Sequence, residues 1–355
     1  MIDAIQSFTD YVNNVEGGIN GRPLQLSVKD DGGDPARTVA AYRAASDEGV
    51  AGILGVPIAS QVAAAGDVAK ELKLSLITVG AIPSVLRTNP QYLFQVDATT
   101  GSDAQPTATF AADLMKGKTS GPIKIALAPH NSPSADEWAK AIKDIWAPKL
   151  GETVTTTVTV PLAAPDVTSQ AQQLVSSKPD VIMFTGIDAG LPALVQRVRV
   201  LGFTGPMIAY HGAGSDKNLS TLNDANVFSE RELRSLDEDP AKYPGLARFK
   251  AAMERGGKLD TIKSNLISHL GSMGFLVAEG AFKKCANPCD RAAFNTALND
   301  LSVDTKGLTG ANIQYSSTNR QGVTSSTFYH FVSGKLVAAN DSKVYHGDVY
   351  TMIAP

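Results

Sequence analysis

Over the first two-thirds of the chain, short apolar runs alternate with longer segments whose apolar residues recur at helical spacing. The strand-like runs cover residues 24–28 (LQLSV), 50–56, 74–81, 92–98, 123–129, 153–161, 180–187 and 206–212. Between most of them lie amphipathic segments at 35–49, 60–73, 104–117, 135–151, 167–178 and 191–202. Strands alternating with helices of this length predict an α/β fold with mainly parallel sheets covered by helices on both faces. Ligands of such sheets bind beyond the carboxyl ends of the strands. The alternation breaks in the small polar stretch 99–107, which predicts a crossing between two similar domains. After residues 227–245 the pattern changes to consecutive helices at 246–255 and 268–284. Two late strands follow at 307–315 and 326–339, the second interrupted by a Ser-Gly turn.

The stretch following LQLSV contains Asp30, Asp31 and Asp34, a D-D-x-x-D spacing that can collect magnesium. Carboxylates at these positions converge best on a helix. Gly32 and Gly33 disfavour a helix here, and Pro35 biases Asp34 away from helical angles. Asp34 is instead a natural N-cap with Pro35 at the first helical position. The expectation is a strand, a glycine turn and a capped helix, with no metal.

Composition adds bounds. The chain has 355 residues, enough for two ordinary domains, with 43% hydrophobic and 19% charged residues. A net charge of −3 supplies no basic field for nucleic acid or anionic membranes. No apolar run is long enough to span a bilayer. No secretory leader is visible, and one removed by processing is expected. Cys285 and Cys289 flank Asn287 and Pro288, which favour a turn able to join the sulfurs. A disulfide would suit an oxidising compartment, with two free thiols as the alternative. Zinc is not expected there, because no nearby histidine or cysteine completes a ligand set.

Four segments carry a family resemblance: GGINGRPLQLSVKDDGGDPARTVAAYRA, GILGVPIASQVAAAGDVAKELKLSLITVGA, PDVIMFTGIDAGLPALVQRVRVLGFTGPMIA and GLTGANIQYSSTNRQGVTSSTFYHFVSGKLV. In this order, over nearly the whole chain, they resemble the type I periplasmic binding proteins, nearest to the Leu/Ile/Val-binding branch of ABC importer components. The resemblance implies two α/β domains joined by three crossovers, with a ligand cleft between them. The corresponding division is residues 1–100 with 231–306, and 101–230 with 307–355. It further implies an extracytoplasmic location, with a lipid anchor on a removed N-terminus as one form of it, a membrane permease as partner, a monomer, and neither cofactor nor catalysis. Family members begin with a strand before their first helix. Here residues 4–21 read as that helix, so the first strand is expected to be missing.

Candidate ligand residues sit after the strands. Ala59 and Ser60 open a helix whose free N–H groups and dipole favour a carboxylate, although Ser60 reads equally as an N-cap. Thr78, Gly80 and Ala81 follow the next strand. In the second domain the candidates are Asn131, Ser132 and Ser134 after one strand, Asp188 after another, and Tyr210 and His211 after a third. Amino-acid binders of the family usually carry an acid where His211 aligns, to pair with the ligand ammonium. Either Asp188 takes that role or the ligand lacks an amine, and a small aromatic or aliphatic acid held by His211 and Ser60 is favoured over an amino acid. His211 as a bystander and Asp188 as a helix cap are the competing readings. None of the G-x-S-x-G, H-E-x-x-H, G-x-x-x-x-G-K-[ST] or G-x-G-x-x-G signatures occurs in its required context. A ligand-sensing regulator of the same fold is the remaining rival.

Overall fold

Two sheets divide the chain. The computed structural model describes residues 1–80, 83–162, 166–263, 267–285 and 287–347. Strands β1 (Ile53–Leu54), β2 (Leu76–Thr78) and β3 (Leu93–Gln95) form a parallel sheet in the order β1-β2-β3. The larger sheet contains β4 (Lys124–Ala128), β5 (Thr153–Thr157), β6 (Val181–Phe184), β7 (Met207–Ala209) and β8 (Val227–Arg231), all parallel. A short antiparallel pair, β9 (Ser302–Val303) and β10 (Ile313–Gln314), follows. Strands β11 (Ser325–Val332), β12 (Lys335–Ala338) and β13 (Tyr345–His346) then extend the larger sheet, in the order β12-β11-β8-β7-β6-β4-β5 with β13 also on β11. β11 runs antiparallel to β8, β12 and β13.

The central strands β2, β4 after Lys124, β6 and β7 are buried on both faces, which is why they read as largely apolar runs. Ile125 and Leu127 of β4 join one core with Val181 and Met183, while Ala126 and Ala128 join the other with Ile182 and Phe184. In the first sheet, Leu76 and Leu93 pack on one face and Ile77 and Phe94 on the other. Phe110 is fully buried and stacks on Phe328 with ring centroids 4.0 Å apart, tying the helix Thr100–Met115 to the larger sheet.

The chain crosses between the sheets three times, and the crossings lie side by side. Residues 96–99 lead from β3 into the helix Thr100–Met115. Residues 232–233 lead from β8 to Leu236 in the first core. Residues 320–324 bring the chain back to β11. The outer two are stitched together: Gly322 N–H donates to the Gln95 carbonyl and Val323 N–H to the Val96 carbonyl, each at 2.9 Å. Ile313, Tyr315 and Val323 pack into the first core before the last crossing.

Three expectations need correction. Residues 24–28 form no strand, and Leu26 and Val28 are exposed. A strand requires a ladder partner, and among the described residues no segment pairs here. The Leu24 backbone is instead closed off by the Asn13 amide, which bonds both its N–H and its carbonyl. Conversely, residues 227–231, to which the sequence reading assigned no element, are strand β8, its every residue buried. The polar stretch 99–107 mostly begins a helix, with Gly101, Ser102 and Asp103 buried in its first turn.

The aspartate cluster makes the expected capped turn. Asp34 Oδ1 accepts from Arg37 N–H at 2.9 Å, and Asp31 accepts from Thr38 and Gln61. Gly32 and Gly33 adopt φ of 60° and 76°, which suit glycine.

Cys285 and Cys289 are joined as a disulfide, with Cα atoms 5.5 Å apart. It closes a short loop, so it constrains the unfolded chain modestly. Its reduction is expected to cost about 2 kcal/mol, read as a lower thermal midpoint with dithiothreitol than without. An unchanged midpoint would show that the bridge contributes nothing.

Candidate functional site

The carboxyl ends of β3, β7 and β8 meet at the crossings, and each delivers an ionisable residue. β3 is followed by Asp97, and the helix entered from it carries Asp103 in its first turn. β7 is followed by Tyr210 and His211. β8 ends in Glu230 and Arg231, with Glu232 next. Asp97, Asp103, Glu230 and Glu232 are all at most 5% exposed, and His211 is 9% exposed. His211 Nε2 lies 3.8 Å from Asp97 Oδ2, and His211 Nδ1 lies 3.8 Å from Asp103 Oδ2 and 3.9 Å from Glu232 Oε1. These separations exceed hydrogen-bond length. His211 Nδ1, Asp103 Oδ2 and Glu232 Oε1 have no hydrogen-bond partner among the described residues.

The other oxygens are held. Thr107 and Ser326 hydroxyls donate to the two oxygens of Glu230 at 3.2 and 2.8 Å. The Gln95 amide bonds Asp97 Oδ1, and Ala98 N–H bonds the Glu232 carboxyl. Arg231 is 2% exposed and committed elsewhere: Nη1 donates to Asp216 Oδ1 at 2.8 Å and Nη2 to the Gly214 carbonyl. Three buried carboxyls, Asp97, Asp103 and Glu232, therefore lie within 4 Å of one imidazole with Glu230 buried beside them, and the buried Arg231 guanidinium is already paired.

Burial sets the charge states. It raises all four carboxyls, and in Asp103 and Glu232 the neighbouring acids raise them further. Burial, with help from Arg231, pushes the His211 imidazole down to about 3. The imidazole is thus neutral, with one ring nitrogen able to accept. Such a cluster attracts a positive group, because a cation can replace the protons the carboxyls otherwise retain. A cavity of about 20 Å³, room for roughly one water-sized group, is bordered by His211, Arg231, Glu232 and, from the helix Ile267–Lys284, His269 and Met273. His269 is 5% exposed, its Nε2 has no partner among the described residues, and burial pushes it down to about 4.

Of the residues singled out in the sequence, Tyr210 and His211 belong to this cluster, with ring centroids 3.8 Å apart. The others lie in surrounding loops or support them. Ser60 is exposed at the second position of the helix Ala59–Leu72, whose N-cap is Ile58, so the serine does not cap it. Ala59 precedes it, half-buried. The Thr78 hydroxyl is buried, donates to the Val56 carbonyl at 2.6 Å and accepts from Gly80 N–H at 3.1 Å. Gly80 packs so closely that an added Cβ would stand 2.5 Å from the Pro57 carbonyl. Ala81 lies outside the described residues. Asn131 is exposed. Ser132 caps the helix Pro133–Ala141 by accepting from Ala135 N–H and bonds His130 Nε2 at 2.8 Å and Ser134 at 3.0 Å. Asp188 Oδ1 accepts from Ser215 N–H at 2.9 Å and the Asn218 amide at 3.1 Å, so its carboxylate braces the loop before the helix Asp216–Leu222.

Asp97, Asp103, Glu230, Glu232 and His269 escaped the sequence reading. Asp97 had a usable signal, an acid directly after a buried strand. Glu230 and Glu232 had none, because their strand was itself unrecognised.

Comparison with known proteins agrees with this architecture. Residues 1–335 match the family model described as periplasmic binding protein. The Leu/Ile/Val-binding protein of Escherichia coli K12 is 23% identical over 242 residues, 67% of this chain and 64% of the relative; the match thus spans under two-thirds of that relative's length. An ABC transporter solute-binding protein from R. palustris, solved with 4-hydroxybenzoate, superposes with a TM-score of 0.77 at 18% identity, covering 98% of this chain and 92% of that one. A branched-chain amino acid ABC transporter protein from Thermus thermophilus, solved with valine, gives 0.78 at 14% identity, covering 98% and 91%. At these identities the likeness is one of fold.

Proposed function

The chain belongs to the periplasmic binding protein family, and from that premise we propose that it is the extracytoplasmic solute-binding component of an ABC importer, recognising a small solute through a positively charged group. The observation that carries the charge assignment is the set of three buried carboxyls within 4 Å of the neutral His211. A negatively charged group brought to His211 would meet carboxyl oxygens from three residues within 4 Å. This reading departs from the sequence expectation of an amine-free acid held by His211 and Ser60. It also relieves Asp188, whose carboxylate already serves Ser215 and Asn218.

The proposed action is closure. In this reading the crossings 96–99, 232–233 and 320–324 separate a first domain holding β1–β3, β9 and β10 from a second holding β4–β8 and β11–β13, so the boundary expected at 306/307 moves to 320–324, because Ile313 and Tyr315 pack in the first core. His211 follows β7 of the second domain, whereas Asp97 and Glu232 lie in the crossings themselves, so movement of the domains about the crossings would complete or open the shell of a cation held there. The closed form then docks to a membrane permease as a monomer and releases the solute without chemistry. No helix among the described residues is long and apolar enough to cross a membrane, so the membrane partner is a separate chain in this reading.

The test is calorimetric titration of the whole chain with positively charged solutes (amino acids, diamines and metal ions) beside benzoates and short aliphatic acids. At least one cation is expected to bind, and Glu232→Gln is expected to weaken it at least roughly tenfold, as loss of one buried charge partner does. Binding of amine-free acids alone would overturn the charge assignment.

A further inference from the structure

We propose that the positive group taken by this cluster is a divalent first-row transition-metal ion, held by Asp97, His211 and Glu232. The proposal rests on the reading of the cleft as a cation site and names the cation.

Three observations carry it. First, one donor atom from each of Asp97, His211 and Glu232 lies within 4.8 Å of the other two. Ligands around a tetrahedral ion at bond lengths near 2.1 Å stand roughly 3.3 Å apart, so side-chain adjustments of about 1 Å would close the shell. Second, the atoms that face inward are free while their companions are anchored. Glu232 Oε1 and His211 Nδ1 are buried without a hydrogen-bond partner among the described residues, whereas the Gln95 amide holds Asp97 Oδ1 and Ala98 N–H bonds the Glu232 carboxyl. Groups held this way orient metal ligands and fix which atom points at the ion. Asp103 Oδ2, also unpartnered and 3.8 Å from His211 Nδ1, is placed to supply a fourth donor.

Third, the donor set discriminates among cations. Two carboxylates and one imidazole suit zinc and its first-row neighbours, whereas magnesium and calcium take oxygen donors. A doubly charged ion neutralises two carboxylates, where a single ammonium neutralises one. The adjoining cavity of about 20 Å³ has room for about one water beside such an ion.

The experiment uses the full chain stripped of metal with a chelator and then desalted. Zinc chloride is titrated by calorimetry, cobalt chloride by visible absorption, and magnesium chloride serves as the comparison. The expected result is one zinc or cobalt ion per chain with no magnesium binding. Glu232→Gln and His211→Ala should each weaken zinc binding at least tenfold, while His346→Ala, on an exposed residue of β13, should leave it unchanged. Far-UV circular dichroism verifies folding. If His211→Ala fails to fold, Glu232→Gln and Asp97→Asn carry the comparison. Zinc binding that is absent, or insensitive to the cluster variants, overturns the proposal. If amines bind and lose affinity in Glu232→Gln while metals do not bind, this inference falls and the cation-site reading stands. If only amine-free acids bind, both fall.

Discussion

Arg231→Ala is expected to lower stability by about 3–5 kcal/mol, the cost of removing one partner of a buried ion pair. The guanidinium is 2% exposed and uses each of its three nitrogens: Asp216, the Gly214 carbonyl and, through Nε at 3.2 Å, Ser229 Oγ. Truncation strands the Asp216 carboxylate and the Gly214 carbonyl in a place water reaches poorly. It also removes the buried positive charge beside four carboxyls. Arg231→Lys is expected to recover only part of the loss, because one ammonium cannot reproduce the planar fork that engages three acceptors at once. Equilibrium urea unfolding reads both variants. A midpoint for Arg231→Ala equal to that of the parent protein would show that the guanidinium only offsets its own burial.

Glu152→Gln is expected to act in the opposite direction, and only above a certain pH. Glu152 precedes β5 at 7% exposure, and neither carboxyl oxygen has a hydrogen-bond partner among the described residues. Burial pushes the group up from 4.5 to about 8. Below pH 4.5 both folded and unfolded chains hold the proton, and the residue exerts no pH effect. Between 4.5 and about 8 the unfolded chain releases the proton while the folded chain keeps it, so stability falls as pH rises. The slope is at most about 1.4 kcal/mol per pH unit, giving a loss on the order of 4 kcal/mol by pH 8. Glutamine carries no such term. Its thermal midpoint should match or slightly differ from the parent at pH 4.5 and exceed it progressively towards pH 8. A difference between the two proteins that is constant with pH would mean that Glu152 ionises without penalty in the fold.

What could be read in the sequence, and what could not, separates along physical lines. The alternation of buried strands and amphipathic helices was legible because both faces of the large sheet are covered at its centre, so β6, β7 and β4 after Lys124 are apolar. The turn at Asp30–Asp34 was legible because glycine, proline and a capping carboxylate act within a few residues of one another. Of the site, Tyr210 and His211 could be found, since they follow an obvious strand. Asp97, Asp103, Glu230 and Glu232 could not be assembled, because they are brought together from positions more than a hundred residues apart by the chain crossings. The strand β8 that carries Glu230 was not among the strands read from the sequence.

By itself, then, the sequence determined the α/β rhythm and the capped turn, consequences of short-range periodicity and local turn chemistry, while the family followed from the resemblance of four segments to known members. Tertiary structure alone decided that residues 24–28 remain outside a sheet, because a strand exists only with a partner. It also decided that charged residues at the end of β8 are buried against His211. A carboxyl's charge, and so the cation it attracts, follows from its neighbours and its burial, and those are set only when the crossings meet.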